Sequence, residues 1–208
     1  MITKKLLDNG VKIHQEMRTQ EIVREKDGTL IIKTESGEGI KAGMVIVGIG
    51  TLPNIDLLQD SGIELDNGIK VNEYLETNLS DVYAAGDVVN FYDVILEDHH
   101  RKGNWVNASR QGEICGANMC DEKKAFNEIT SFTVNIFGLI FAFLGEYNRA
   151  MADEVVIRDE GEKIREFYFK GERLIGATFV NAPMDRPLIE IAIKDKIKLS
   201  KSEQLSLS

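Results

Sequence analysis

Short apolar segments, each bounded by turn residues, make up most of the first half of the chain. Ile2 and Leu6 lie four residues apart and Gly10 follows, which predicts a short helix that ends at a left-handed glycine. The Asp27-Gly28 pair is a strong hairpin signal between two alternating segments. The same signals predict further short elements: strands at 11–14, 21–24, 29–34, 41–47 and 69–71, and a helix at 56–61.

A longer amphipathic helix is predicted to follow Asn104. Asn104 is a favourable N-cap, and the backbone N–H groups of Trp105, Val106 and Asn107 in the first turn are left without intrahelical partners. Together with the positive end of the helix dipole, these groups form a site for negative charge. The predicted packing face repeats at spacings of three and four, with small residues at its middle: Trp105, Ala108, Gly112, Cys115 and Met119.

The pattern changes after residue 122 to a series of strands separated by turn residues. This series predicts an antiparallel meander with strands at 131–136, 139–144, 154–158, 163–169 and 173–180. Pro183 suits the first turn of a later helix, whose apolar stripe falls within 188–193. The longest apolar run, 137–144, is far shorter than the roughly 20 residues of a membrane-spanning helix, so we expect a core strand there.

The composition narrows the classes of partner. Thirty-four acidic residues against 25 basic residues give a net charge of -9, which argues against nucleic acid and against an anionic membrane surface. The N-terminus has no apolar secretory segment, so we expect a cytoplasmic location. Cys115 and Cys120 are expected to be reduced and structural, because their spacing differs from that of a Cys-x-x-Cys redox motif.

Residues 91–102 are predicted to form a surface excursion. The adjacent His99 and His100 follow Glu97 and Asp98, which raises the hypothesis of a metal site. Neighbouring residues usually point apart, however, and the sequence offers no apparent third ligand. We therefore expect no metal there.

The run 77–87 carries the strongest candidate binding chemistry. Residues 82–84 suit a short buried strand, and Gly86 would let another molecule approach the backbone closely. Asp87 stands at the end of this strand, where a carboxylate can accept hydrogen bonds from a sugar-type hydroxyl group. The alternative is a buried strand that simply stops at an exposed Gly86-Asp87 turn.

Two motifs together resemble the FAD-dependent pyridine nucleotide-disulfide oxidoreductase superfamily. An apolar strand leads into a Gly-x-Gly-x-x-Pro-Asn segment at 48–54, and Thr77 precedes a Tyr-Ala-x-Gly-Asp segment at 83–87. The resemblance implies that Asp87 binds the flavin ribityl chain. It also implies that Gly48 and Gly50 let the chain pass close to the cofactor as it crosses between domains. Residues 48–53 do not suit a phosphate loop, because Pro53 stands where the third glycine would be.

The stretch 104–112 resembles the helix that follows the Gly-Asp motif in that family. In the family, the first turn of this helix faces the pyrimidine edge of the flavin. The resemblance therefore adds Asn104, Trp105 and Val106 to the cofactor-binding residues. A helix N-terminus there would stabilise the negative charge that gathers on the ring when flavin accepts hydride. The alternative for Trp105 is an aromatic residue that only packs on the sheet.

The C-terminal part resembles the interface domain of the NADH oxidase, rubredoxin reductase and nitrite reductase branch. The segments 132–139 and 174–180 carry this resemblance. In that branch the domain packs over the flavin and often makes a dimer contact, which makes a homodimer an expected arrangement. No histidine follows His100, so the His–Glu pair of glutathione-reductase-like members has no counterpart.

The fold class implied is α/β and α+β, with partial three-layer FAD- and NAD(P)-binding sheets followed by an antiparallel-sheet interface domain. We expect residues 1–50 to be the C-terminal half of an NAD(P)H-binding domain. Residues 51–122 are expected to be the C-terminal part of an FAD-binding domain, and residues 123–208 the interface domain.

The resemblance implies that hydride passes from NAD(P)H to FAD, and that electrons pass on to a small redox protein or a small-molecule oxidant. Both Gly-x-Gly-x-x-Gly loops of the family would precede Met1, so the isolated chain is expected to be inactive. One alternative is a non-catalytic interaction or dimerisation fragment, or one half of a split enzyme. Another is a plain NAD-dependent dehydrogenase, which the Asp87 motif disfavours.

Overall fold

The computed structural model of the protein describes residues 1–182 and 186–206, in which two units can be distinguished. The first unit is Met1–Thr51 and the second is Leu52–Ser208. Pro183, predicted to begin a helix, lies outside the described residues.

The first unit contains one helix and a three-stranded antiparallel sheet. The helix is α1 (Ile2–Asp8), and the strands are β1 (Thr19–Arg24), β2 (Leu30–Thr34) and β3 (Gly39–Ala42), in the order β1-β2-β3. The predicted hairpin between β1 and β2 is confirmed. Its turn is closed by the Asp27 carboxylate, which accepts a hydrogen bond from the N–H of Thr29 at 2.9 Å, and by a left-handed Gly28.

Two strand predictions in this unit are wrong. Residues 11–14 form no strand, and β3 ends at Ala42, so that residues 43–49 belong to no strand of the described chain. The side chains of Ile46 and Ile49 are 88% and 91% exposed. They line an open groove of about 760 Å³ with the β1–β2 pair. A run that is apolar on both faces is typical of a strand buried within a parallel sheet, and such a strand needs neighbours that this unit does not supply.

The second unit begins with a 3-10 helix and a small mixed sheet. The 3-10 helix is Asp56–Leu58, and the strands are β4 (Ile69–Val71), β5 (Val89–Asp93) and β6 (Asp98–His100). β4 and β5 are parallel, whereas β5 and β6 are antiparallel. Gly68, with φ +136, must be glycine, because a β-carbon there would lie 2.5 Å from the carbonyl oxygen of Val88. Apolar side chains from β4, β5 and their surroundings form a core: Val71, Leu75, Val89, Phe91 and Phe126.

The predicted surface excursion at 91–102 is also wrong, because this segment carries the end of β5, a tight turn and β6. Asp93 is buried, and its Oδ1 accepts hydrogen bonds from the N–H groups of Ile95 and Leu96 at 2.9 and 3.1 Å. Ile95 and Leu96 are buried as well. The predicted strand at 82–84 is reduced to a single bridge between Glu76 and Tyr83.

The long helix α2 (Trp105–Asn118) begins where the sequence predicts it. Its buried face differs from the predicted one and carries Asn107, Gln111, Cys115 and Asn118. Buried amides are stable here because they find partners: Asn118, for example, donates to the carbonyl oxygens of Tyr74 and Lys124 at 2.8 Å. Of the predicted face only Cys115 is buried; Gly112 and Met119 are exposed, and its first residue, Trp105, is 82% exposed. The alternative that Trp105 packs on the sheet is therefore wrong.

A five-stranded antiparallel sheet forms the remainder of the second unit. Its strands are β7 (Ser131–Ile136), β8 (Leu139–Gly145), β9 (Glu154–Asp159), β10 (Ile164–Lys170) and β11 (Arg173–Val180). All five predicted strands exist, but their order is β7-β8-β11-β10-β9, because β11 inserts next to β8. The strand order is therefore not that of a simple meander, and the predicted meander is wrong in this respect.

Two short helices follow the five-stranded sheet, α3 (Arg186–Lys194) and α4 (Lys201–Ser206). Ile193 of α3 is buried in a core that also contains Leu144, Phe167, Phe169 and Phe179 of the sheet. Among the described residues, none of the helices is both long and apolar enough to cross a membrane.

Candidate functional site

Gly86 is held against helix α2. Its N–H donates a hydrogen bond of 2.8 Å to Oε1 of Gln111, and its carbonyl oxygen accepts one from the N–H of Val89 at 3.1 Å. Gly86 has φ +94, and a β-carbon there would lie 3.9 Å from the β-carbon of Ala108. The turn that precedes Asp87 is thus fixed by α2 on one side and by the start of β5 on the other.

The side chain of Asp87 lies beside the start of α2. A β-carbon added to Gly103 would be 3.4 Å from Oδ2 of Asp87 and 3.5 Å from its carboxyl carbon. Gly103 directly precedes Asn104, the residue that caps α2. Asp87 and Gly103 are both exposed, so the carboxylate next to the helix N-terminus is open to a ligand.

Asn104 caps α2 as predicted. Its side-chain oxygen accepts a hydrogen bond of 2.8 Å from the N–H of Asn107, and the intrahelical bonds begin with the N–H of Ala108 donating to the Asn104 carbonyl oxygen. Trp105 and Val106 precede that first bond and are exposed. The first turn therefore presents the positive end of the helix dipole at the surface, next to Asp87.

A buried ion pair anchors the loop that leads into α2. Nζ of Lys102 lies 3.1 Å from Oδ2 of Asp93, and the two side chains are only 12% and 7% exposed. The Lys102 carbonyl oxygen also accepts a hydrogen bond of 3.1 Å from Nδ2 of Asn107. Side chain and main chain together fix the residue next to Gly103.

His100 lies near this ion pair, and its surroundings shift the pKa of its imidazole downward. Partial burial, followed by the nearby positive charge of Lys102, lowers the pKa of its imidazole below the ordinary 6.5. The carboxylates of Asp93, Glu146 and Asp98 oppose this shift without reversing it. Nε2 of His100 is buried and has no hydrogen-bond partner in the described chain. The imidazole therefore belongs to the packing behind the site.

Gly48 and Gly50 lie in the other unit, Met1–Thr51, and are described within it. Gly50 is left-handed, with φ +91, and a β-carbon at either glycine would meet no atom of the described residues within 4 Å. The backbone at both glycines is thus open to close approach, which is what their predicted role requires.

Neither the cysteines nor the adjacent histidines form a reactive centre here. Cys115 is buried, which raises the pKa of its thiol, and Cys120 is exposed. Both are free thiols. His99 makes an edge-to-face contact with Tyr92, with ring centroids 5.4 Å apart. Over residues 1–182 and 186–206, no group of three or more His, Cys, Asp or Glu side chains is arranged to hold a metal ion.

Three residues that shape the site were not predicted: Gln111, Lys102 and Asp93. A signal for Gln111 exists in the sequence, because polar residues recur at 107, 111 and 118 with helical spacing. Apolar periodicity alone does not reveal them. The Lys102–Asp93 pair has no such local signal, since only the β5–β6 hairpin brings the two residues together.

The fold is an α/β architecture followed by an antiparallel-sheet domain, and its open site combines a carboxylate with a helix N-terminus. Comparison with known proteins identifies the family. A model of the pyridine nucleotide-disulphide oxidoreductase family matches residues 1–112, and the chain belongs to this family. The family implies use of FAD and NAD(H). The sequence-based assignment to this superfamily is confirmed.

Curated relatives match between 46% and 86% of the chain. Apoptosis-inducing factor 3 of Homo sapiens is 28% identical over 187 residues, which span 86% of this chain and 30% of the relative. Rubredoxin-NAD(+) reductase of Pseudomonas putida is 28% identical over 163 residues, 77% of this chain and 42% of the relative. NADH-rubredoxin oxidoreductase of Clostridium acetobutylicum is 38% identical over 96 residues, 46% of this chain and 24% of the relative. The chain thus matches less than half the length of each.

Solved structures agree on the fold. A ferredoxin reductase from Rhodopseudomonas palustris superimposes with a TM-score of 0.82 at 23% identity, covering 99% of this chain and 52% of that one. Putidaredoxin reductase, in a covalent complex with putidaredoxin, superimposes with a TM-score of 0.84 at 23% identity, covering 97% of this chain and 49% of that one. The fold class predicted from the sequence is confirmed.

The residues around Asp87 fit the flavin part of FAD. An exposed carboxylate suits the ribityl hydroxyl groups as an acceptor, and the N–H groups at the start of α2 suit the electron-rich edge of the ring. Gly103 has no side chain that would separate the two.

Proposed function

We propose that this chain is the C-terminal portion of an FAD-dependent NAD(P)H oxidoreductase. In this proposal hydride passes from NAD(P)H to FAD, and electrons pass on to a small redox protein or a small-molecule oxidant. The observation that carries the proposal is the exposed Asp87 carboxylate lying against Gly103, one residue before the N-cap of α2.

Each site residue has a defined role in this proposal. Asp87 accepts hydrogen bonds from the ribityl hydroxyl groups, and Gly86 keeps the backbone accessible beside it. Asn104 holds the first turn of α2, in which the N–H groups of Trp105 and Val106 face the pyrimidine edge. Bound FAD would supply the hydride-accepting ring. The helix terminus favours the negatively charged reduced form by about 0.3–1 kcal/mol when exposed and up to about 2 kcal/mol when partly buried.

The domain assignment is part of the same proposal. Residues 1–50 complete an NAD(P)H-binding domain, with Gly48 and Gly50 where the chain passes the cofactor; residues 51–122 belong to the FAD-binding domain, and residues 123–208 form the interface domain. The exposed apolar run at 44–49 supports this, because it suits a strand covered on both faces by further polypeptide. Contacts to the ADP half of FAD are assigned to polypeptide outside the 208 residues.

The proposed acceptor is supported by the relatives. Two of them are named as reductases of rubredoxin, and a structural neighbour is bound to putidaredoxin. We place the protein in the cytoplasm and propose that residues 123–208 provide a homodimer contact. The net charge of -9 makes nucleic acid and anionic membranes unsuitable partners.

A second candidate is a non-catalytic interaction fragment or one half of a split enzyme. The same exposed run at 44–49 favours it, since an apolar segment with strand propensity and no partner strand in the described chain is available for pairing with another polypeptide. The first candidate predicts that this chain binds flavin, whereas the second does not require it, so a flavin-binding measurement distinguishes them.

The test compares FAD with FMN, which lacks the ADP half. If this chain contacts only the flavin and ribityl parts, both cofactors should bind it with similar, weak affinity in a fluorescence titration. Asp87→Ala should weaken both by about tenfold or more, because it removes hydrogen bonds to a charged acceptor. Asp60→Ala, at another exposed carboxylate of the same unit, is the matched control and should leave both affinities unchanged. Absence of flavin binding by the wild-type chain, or equal affinities for wild type and Asp87→Ala, would overturn the proposal.

A further inference from the structure

Gln111 is a fully buried amide with one unsatisfied end. Its side chain is 0% exposed on α2, and Oε1 accepts the 2.8 Å hydrogen bond from the N–H of Gly86. Its Nε2 has no hydrogen-bond partner in the described chain. A buried amide that is only half satisfied contributes little to stability, because the desolvation of the unpaired group offsets its one bond. The main structural effect of the Gln111 side chain is therefore on the group that it does bond, the N–H of Gly86.

The hydrogen bond from Gly86 ties the Asp87 turn to α2. Gly86 has φ +94, so the chain leaves any extended conformation at this point and its N–H has no ladder partner. Gln111 supplies that partner from a residue 25 positions away. The peptide before Asp87 is thus fixed by the same helix whose N-terminus lies beside the Asp87 carboxylate.

A single rigid element therefore sets both halves of the site. Gln111 follows Trp105 by six residues, which corresponds to about 9 Å along the helix axis at 1.5 Å per residue. Because the N-terminus and the Gln111 acceptor belong to the same helix, a displacement of the whole helix would move both together. The distance between the Asp87 carboxylate and the first turn is maintained in this way.

We propose that Gln111 is a positioning residue that holds the Asp87 carboxylate beside the N-terminus of α2, so that one flavin contacts both. The identity of the ligand rests on the proposed function. The positioning itself is a property of the chain without ligand, and it can be measured separately.

Three variants isolate the role of the Gln111 acceptor. Gln111→Met keeps the length of the side chain and removes the acceptor, whereas Gln111→Glu keeps an acceptor oxygen at the same position. Gln111→Asn shortens the side chain by one methylene, keeps its polarity and withdraws the acceptor from Gly86. Asn118→Leu is the matched control, because it removes a buried amide from the same helix that has no bond to Gly86.

The first measurement uses NMR on the protein without flavin. In wild type, Gln111→Glu and Asn118→Leu, we expect a nuclear Overhauser contact between the α-protons of Gly103 and the β-protons of Asp87, with a protected Gly86 amide. In Gln111→Met and Gln111→Asn that contact should weaken, and exchange of the Gly86 amide should accelerate by about tenfold or more. An unchanged contact and unchanged exchange in both variants would overturn the inference, as would the same loss in Asn118→Leu.

The second measurement is FMN affinity. Gln111→Met should bind FMN about tenfold more weakly than wild type, and Gln111→Glu should recover most of that loss. If wild type binds no flavin but the NMR results are as expected, the proposed function fails and the positioning role stands. The opposite result is that wild type binds flavin with an affinity that depends on Asp87, while Gln111→Met changes neither the NMR contact nor the FMN affinity. In that case the inference fails and the proposed function stands.

Discussion

The carboxylate of Asp87 is accessible in part because Gly103, which lies beside it, has no side chain. Gly103 has ordinary backbone geometry, so any residue could stand there, yet a β-carbon would come within 3.4 Å of the carboxylate oxygen. Such a contact is tolerable in the free protein. It would, however, occupy space that a hydroxyl group needs in order to reach the same oxygen.

Gly103→Ala should therefore weaken FMN binding without weakening the fold. We expect several-fold lower affinity, by partial obstruction of Asp87, and an unfolding temperature within about 2 °C of wild type. Fluorescence titration and thermal unfolding measure the two effects. Gly112→Ala is the control: its β-carbon meets no described atom within 4 Å, and FMN affinity should not change. Equal FMN affinity of Gly103→Ala and wild type would contradict the geometry assigned to Asp87.

The predictability of a site residue depends on how local its chemistry is. Asp87 and Asn104 could be proposed as site residues from the sequence, because a carboxylate after a predicted strand and an Asn before a predicted helix are characteristic within a few residues. Gln111 could not, because its effect depends on a backbone N–H that folding brings from 25 residues away. Asp93 and Lys102 belong to a segment whose sequence predicts a surface excursion. Charged residues are typical of exposed segments, and the sequence does not show that these two form a buried ion pair.

Helix α2 illustrates the same limit for a whole element. Its N-terminus was predicted, because capping is a local property, but its buried face was not. Periodicity assigns the apolar and small residues to the core, whereas here three amides are buried and bond backbone groups from elsewhere in the chain, with only Nε2 of Gln111 among them left without a partner in the described chain. The β5–β6 hairpin was missed for a related reason, as the sequence of β6, Asp98–His100, is entirely polar.

The connection from β6 to α2 should depend strongly on the Lys102–Asp93 pair. Lys102→Met leaves the Asp93 carboxylate buried without its counter-charge and should lower the free energy of unfolding by about 3–5 kcal/mol, measured by urea denaturation. Asp93→Asn in the Lys102→Met background keeps an acceptor for the turn and removes the charge, so it should recover part of the loss.

The exposed pair Lys4–Asp8 provides the control for this experiment. Its 2.6 Å contact is shorter than that of the buried pair, but both side chains are more than half exposed. Lys4→Met should leave the urea transition unchanged, because solvent screens the interaction. A loss for Lys102→Met no larger than that for Lys4→Met would show that the buried pair does not anchor the loop.

For the molecule as a whole, local patterns predicted strands more reliably than their arrangement. All five strands of the C-terminal sheet were predicted, but the pairing of β11 with β8 was not, since two other strands separate them in the sequence. The segment 43–49 has a strong strand pattern and forms no strand, because a strand requires a partner for its backbone.

The apolar run at 44–49 should make the isolated chain prone to self-association. Replacing Ile46 and Ile49 together by Thr keeps the strand propensity and removes exposed apolar surface, so we expect less aggregate in size-exclusion chromatography with light scattering. The urea transition should not change, because both side chains are almost fully exposed. Leu188→Thr, at an exposed position of α3, is the control. Equal aggregation of the double variant and wild type would show that the run at 44–49 does not cause the self-association.

Asn107 connects three parts of the second unit through one side chain and its own main chain. Its N–H closes the cap of α2 on Asn104, its Nδ2 bonds the Lys102 carbonyl oxygen, and its Oδ1 accepts a hydrogen bond of 3.4 Å from the hydroxyl of Thr130, the residue before β7. In the proposed enzyme, a displacement of the five-stranded sheet would act on the first turn of α2 through these bonds. Binding of a redox partner at that sheet would then change how strongly the helix N-terminus stabilises the reduced flavin.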